Sequence, residues 1–181
     1  AMDETDRNQD ALKLFNAFSK RFPKSPRRVD TLLRAGRIHL ENKNYNTASD
    51  QFKLAYKLGK SRIEKSEILL SHAMVYEIKK DFKTASEYRE RAIKEIAMAK
   101  GDNYDKLVSA YKILGQTYTA LRKYVKSAAA YQKALGFSND DREKSHLGFL
   151  LGDAYQKGNI LPKAKDAYKE VVEQYDSVWS R

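Results

Sequence analysis

Small side chains recur along the 181 residues in a register that a stack of helix pairs explains. Ala11, Ala48, Ala85, Ser127 and Ala164 stand 37, 37, 42 and 37 residues apart. A second series, Gly36, Ala73, Gly115 and Gly152, repeats the steps of 37, 42 and 37. Two series in one register leave little to chance: a small residue once per unit lets one helix lie close on the next. Larger residues follow the first series four and seven places on, as Phe15 and Phe18, Phe52 and Ala55, Tyr131 and Ala134, and Tyr168 and Val171. Those offsets share one helix face. The unit after Ala85 departs from the pattern, with Arg89 at the aromatic position and Tyr88 one place early.

Start signals precede the second series: Ser25-Pro26, Ser61 with Glu64, Asp102 with Asp105, and Asp140 with Glu143. A Ser or Asp side chain accepts from free backbone N–H groups of the first turn, and an acidic residue three places on suits that positive end. Proline at the first helical position lacks only an N–H that had no partner. The chain is expected to be all-α, with a lone helix over 5–22 and pairs over 26–42 and 46–59, 61–79 and 82–100, 103–121 and 124–137, and 140–157 and 161–177. The longer step places helix 82–100 on to Lys100, where Gly101 stops it. No linker is long enough to divide residues 1–181, which read as one domain with units over 5–22, 26–59, 61–100, 103–137 and 140–177.

Tyr111, Leu114, Gly115 and Tyr118 form aromatic-x-x-L-G-x-x-Y, and Tyr131 and Ala134 follow where a second helix returns. This resembles the tetratricopeptide repeat, with Tyr111 where Trp is commonest. The resemblance implies a right-handed α-α superhelix of four units and an N-terminal half unit, nine helices in all, that binds other proteins. The step of 37 exceeds the family's period of about 34, which the early caps explain by an extra turn in the first helix of each pair. Phe22-Pro23-x-Ser25, echoed at Tyr175-x-Ser177, resembles the ending of units in the outer-membrane assembly lipoproteins and the periplasmic partners of the Tol-Pal system. That implies a bacterial envelope assembly, periplasmic or envelope-associated, with the cytoplasm as the alternative. Val178 and Trp179 would then begin a further helix. Ala1-Met2 has the look of a cloning remnant, which leaves room for a removed leader, lipid anchor or additional domain.

There is no cysteine, so disulfides and thiolate metal sites are excluded. No apolar run approaches the roughly 18 residues of a membrane span. Lys and Arg number 35 against 24 Asp and Glu, a net charge of +11 that favours an acidic partner. The signs alternate, as in Glu87-Tyr88-Arg89-Glu90-Arg91, which suits solvated helix faces and leaves a dedicated polyanion site, such as an RNA-binding helical repeat, as the second reading. Most of the twelve tyrosines fall at inter-helix positions, a core stripe before a base-stacking platform. Nucleic acid is therefore the lesser partner, and a regulatory domain of a larger enzyme is a third reading.

Catalytic chemistry has little to stand on. His39, His72 and His146 are the only histidines and none pairs at metal-ligand spacing; the first two read as packed between helices and the third as a surface residue. No phosphate loop or nucleophile elbow is present, so no catalytic residue, cofactor or metal is expected. The resemblance instead directs function to the concave face, lined by the first helix of each pair. Residues three before, one after and four after the small residue share that face. These are Leu33, Arg37 and Leu40, Leu70, Met74 and Glu77, Lys112, Gln116 and Thr119, and Phe149, Asp153 and Gln156, flanked by Arg34 and Leu150. The partner-binding residues are taken from this row as Leu33, Arg34, Arg37, Leu70, Met74, Lys112, Gln116, Phe149, Asp153 and Gln156. Leu33, Leu70 and Phe149 have an alternative place, packed against neighbouring helices. Lys112 and Gln116 supply only a fragment of the carboxylate clamp by which some family members hold chaperone tails, so that specificity is rejected. Apolar ends of the stack would allow a homodimer.

Overall fold

The computed structural model describes the backbone of residues 4–179 and side chains over 7–174. Among these there are nine helices and no strand: α1 (Glu4–Arg21), α2 (Arg28–Glu41), α3 (Tyr45–Leu58), α4 (Arg62–Ile78), α5 (Phe82–Ala97), α6 (Tyr104–Ala120), α7 (Tyr124–Phe137), α8 (Asp141–Lys157) and α9 (Leu161–Trp179). Each helix sits where the periodicity predicts, and the differences are at the ends. Helix α5 stops at Ala97, short of Lys100, with Gly101 at φ 89° in the turn that follows. Helix α2 starts at Arg28 because Ser25 Oγ accepts from the Arg27 N–H at 3.2 Å and closes a turn ahead of the helix; Pro26 is thus outside it. At 14 residues α2 also lacks the extra turn present in α4, α6 and α8, each of 17. Helix α9 continues unbroken through Trp179, so no new helix begins at Val178. The side-chain readings of Tyr175, Ser177, Val178 and Trp179, and the reading of Ala1-Met2, lie outside the described residues.

Two of the four caps form as read. Ser61 Oγ accepts from the Glu64 N–H at 3.0 Å and Asp140 Oδ1 from the Glu143 N–H at 2.7 Å. At α6 the cap position belongs to Asn103, whose side chain makes no cap bond, while Asp102 accepts from the Tyr104 N–H at 3.0 Å.

Antiparallel neighbours pack in chain order, α2 with α3, α4 with α5, α6 with α7 and α8 with α9, and each pair stacks on the next. Stacking is locked at the small residues. A Cβ placed on Gly36, Gly115 or Gly152 would come within 2.5 Å of the rings of Phe52, Tyr131 and Tyr168 respectively. Each ring therefore lies on a bare backbone, which glycine alone permits. The second unit solves the same contact differently. Ala73 replaces glycine, and the buried residue facing it in register is Arg89, whose Nη2 lies 2.5 Å from Glu77 Oε2 and whose Nη1 donates to Thr117 on α6. Tyr88 turns the other way, its ring centroid 4.4 Å from that of His72 and 5.2 Å from that of Tyr76.

The turn inside each pair is also built in register. Lys43, Lys80, Arg122 and Asn159 all have positive φ, between 56° and 63°. In each turn the next residue's N–H returns to a carbonyl five places back, as from Asp81 to Tyr76 and from Lys123 to Tyr118, both at 2.8 Å. This is the left-handed helix ending in which glycine or asparagine is the unstrained choice.

Candidate partner-binding groove

Arg37, Leu40 and Glu41 of α2, Glu67, Leu70, Ser71 and Met74 of α4, Arg89 of α5 and Ile113 of α6 line one cavity of about 340 Å³. Its chemistry is mixed. Met74 is 47% exposed, and Leu70 is half-buried beside it. The Arg37 guanidinium is steadied by Ser71 Oγ, 3.3 Å from Nε and 3.2 Å from Nη2. Arg89 is the member that sequence reasoning missed. It reads as a failed aromatic position, and the acid at Glu77, twelve places earlier, is the signal that it is an ion pair.

The remaining residues of the row are distributed more widely. Leu33 is 6% exposed and belongs to the core with Val29, Leu32 and Phe52, so it has no surface to offer a partner. The buried face of α2 is broad, taking in Val29, Leu32, Leu33, Gly36 and Leu40, and Leu33 lies within it, the alternative place the sequence offered for it. Arg34 is exposed and held by Asp30 on its own helix at 2.9 Å. Lys112 is half-buried and bound to Glu143 of α8 at 2.8 Å, a bridge between the third and fourth pairs. Gln116 is exposed. In the last pair Phe149 is 56% exposed with its ring tilted against Tyr168, Gln156 Oε1 accepts from the Tyr168 hydroxyl at 3.1 Å, and Asp153 holds Lys157 at 2.7 Å.

Among the described residues no three His, Asp or Glu side chains gather where a metal could be held, and no helix is long and apolar enough to cross a membrane. One pair has the separation of a nucleophile and its base: Ser49 Oγ and His72 Nε2, 2.6 Å apart. Both are buried, and the ring is enclosed by Phe52, Tyr76 and Tyr88. Burial, helped by Lys53 and Arg91 and opposed by Asp50, holds the His72 imidazole down at about 4, too weak for a base at neutral pH. The pair is a satisfied core hydrogen bond. His39 is half-buried and lowered by burial, and His146 is exposed.

Comparison with known proteins agrees with this architecture. Residues 147–177, covering most of α8 and α9, match the tetratricopeptide repeat. No match was found among curated proteins. Among solved structures, that of MamA is 20% identical, with a TM-score of 0.68 over 100% of this chain and 99% of that one. BtubC (BKLC) from P. vanneervenii is 15% identical, with a TM-score of 0.76 over 97% of this chain and 76% of that one. A kinesin light chain from Podosopora anserina with nearly identical TPR-like repeats is 12% identical, with a TM-score of 0.69 over the full length of both. At such identities the likeness is one of fold. The chain is an all-α superhelical solenoid of tetratricopeptide-type helix pairs, the last of which is itself a recognisable tetratricopeptide repeat.

Proposed function

We propose that this solenoid is a non-catalytic scaffold that holds a partner peptide or helix in the groove formed by α2, α4, α6 and α8. Tetratricopeptide repeats generally serve protein–protein interaction, and the finer reading concerns where and what this one grips. The observation that carries it is the cavity in which exposed Met74 and half-buried Leu70 lie beside the two guanidiniums of Arg37 and Arg89. Arg89 is already paired with Glu77, and Glu41 and Glu67 line the same cavity, so the apolar anchors suit a segment bearing one apolar residue and an acid placed against Arg37, away from those two carboxylates. Stacked helices are ordered before the partner arrives, so little ordering cost falls on the scaffold. The setting in a bacterial envelope assembly rests on the Phe22-Pro23-x-Ser25 ending alone.

An array of acidic, amphipathic peptides tests the groove. Peptides retained by the wild-type chain should lose about tenfold in affinity to Arg37→Glu, a change of about 1.4 kcal/mol, while far-UV circular dichroism is unchanged. Equal affinity for the variant would move the site elsewhere.

A further inference from the structure

The turns between α2 and α3, α4 and α5, α6 and α7, and α8 and α9 lie along one edge, because the helices alternate direction and each pair stacks on the next. Three of those turns place a cation at the one residue with positive φ: Lys43, Lys80 and Arg122. A left-handed conformation costs a side-chain-bearing residue about 1–2 kcal/mol, which glycine would avoid. The fourth turn, Gly158-Asn159-Ile160, contains no cation and uses asparagine, the residue that tolerates this conformation best after glycine. Beside these turns Lys157 ends α8 but is held by Asp153 at 2.7 Å, and Glu41 ends α2; the strained choice appears in the three turns that carry a cation between their helices. Lys79 and Lys123 add to the row, and the one acid within these turns, Asp81, is engaged as the cap of α5, accepting from the Thr84 N–H at 3.1 Å.

Aliphatic groups accompany the charge. Ile78 at the end of α4 and Val125 at the start of α7 are 45% and 65% exposed. Two of the rings at this edge carry their own cations, Tyr45 under Lys79 at 5.8 Å and Phe82 under Lys80 at 5.9 Å, and the third, Tyr124, is half-buried, so little ring face is open for stacking bases. Cations aligned on one edge, interspersed with short aliphatic chains and with little open ring face, fit a planar anionic surface better than a nucleic-acid strand. We propose that this edge docks on an anionic lipid bilayer, leaving the groove, which shares none of these turn residues, free for a partner.

The positive-φ residues allow a test that separates charge from folding. The triple variant Lys43→Gly, Lys80→Gly, Arg122→Gly removes three charges and relieves the turns, so its melting temperature should equal or exceed that of the wild type. A control removes three exposed charges elsewhere on the second helices: Lys57→Gln, Lys94→Gln, Lys133→Gln. In co-sedimentation with phosphatidylcholine vesicles containing about one third phosphatidylglycerol, in about 100 mM salt, the wild type and control should bind and the edge variant should bind at least about tenfold more weakly. Pure phosphatidylcholine vesicles should bind none of the three. Equal binding by edge variant and control, or no binding of the wild type to the anionic vesicles, overturns the proposal. So does an edge-dependent affinity for a single-stranded RNA oligonucleotide in the absence of vesicle binding. The edge variant keeps Arg37 and Met74, so the peptide array reports on the groove independently.

Discussion

At the scale of the residue, two positions control the fit between helices. Gly115 lies under the ring of Tyr131, and a methyl group there would sit 2.5 Å from it. Gly115→Ala should cost about 1–3 kcal/mol in a denaturant melt, and adding Tyr131→Leu should recover part of the loss by making room. His72 gives the fold a pH dependence. Its folded value of about 4 lies below the usual 6.5, so between those values the unfolded chain takes up a proton that the folded one refuses. Stability is full above pH 6.5 and declines as pH falls towards 4, by up to about 3 kcal/mol from this ring. The groups facing it are Ser49, Asp50 and Lys53 on α3, Tyr76 on α4, and Tyr88 and Arg91 on α5. His72→Gln should flatten the dependence in melts at a series of pH values.

At the scale of the element, position and type of every helix were legible because periodic apolar residues and small residues agree. The late start of α2 was not, since Ser25-Pro26 has the composition of a cap and the turn geometry of a loop, and for Leu33 the sequence left open the choice between groove and core that its burial decides. Caps themselves differ in what they contribute. Asp140→Ala removes a bond that is made and should destabilise by about 1 kcal/mol, whereas Asn103→Ala removes no cap bond and should change a denaturant midpoint little. The left-handed turns escaped sequence reasoning for a related reason: lysine and arginine carry no turn signal, and only their shared register gives them away.

At the scale of the whole molecule, stability in such a stack is a sum of pairs and the joints between them. The joint between α5 and α6 follows the five-residue lengthening and is bridged by Arg89, which reaches both Glu77 of its own pair and Thr117 of the next. Arg89→Leu should lower amide protection in α5 and α6 by about tenfold in hydrogen exchange, with the first and last pairs little affected. Uniform loss along the chain would show instead that the stack opens as one piece. The groove was legible only in part: the row of positions followed from periodicity, but which of them face solvent depended on pairings such as Lys112 with Glu143 that join residues 31 apart.

The substitution of alanine and arginine for glycine and ring in a single hairpin means that the hairpins are not interchangeable parts. A chain shuffled so that the third hairpin replaced the second would place Tyr131 where a guanidinium now bridges to Thr117, and would leave that hydroxyl without its donor. Exchange of hairpins thus carries a cost at this one place that the other joints do not impose.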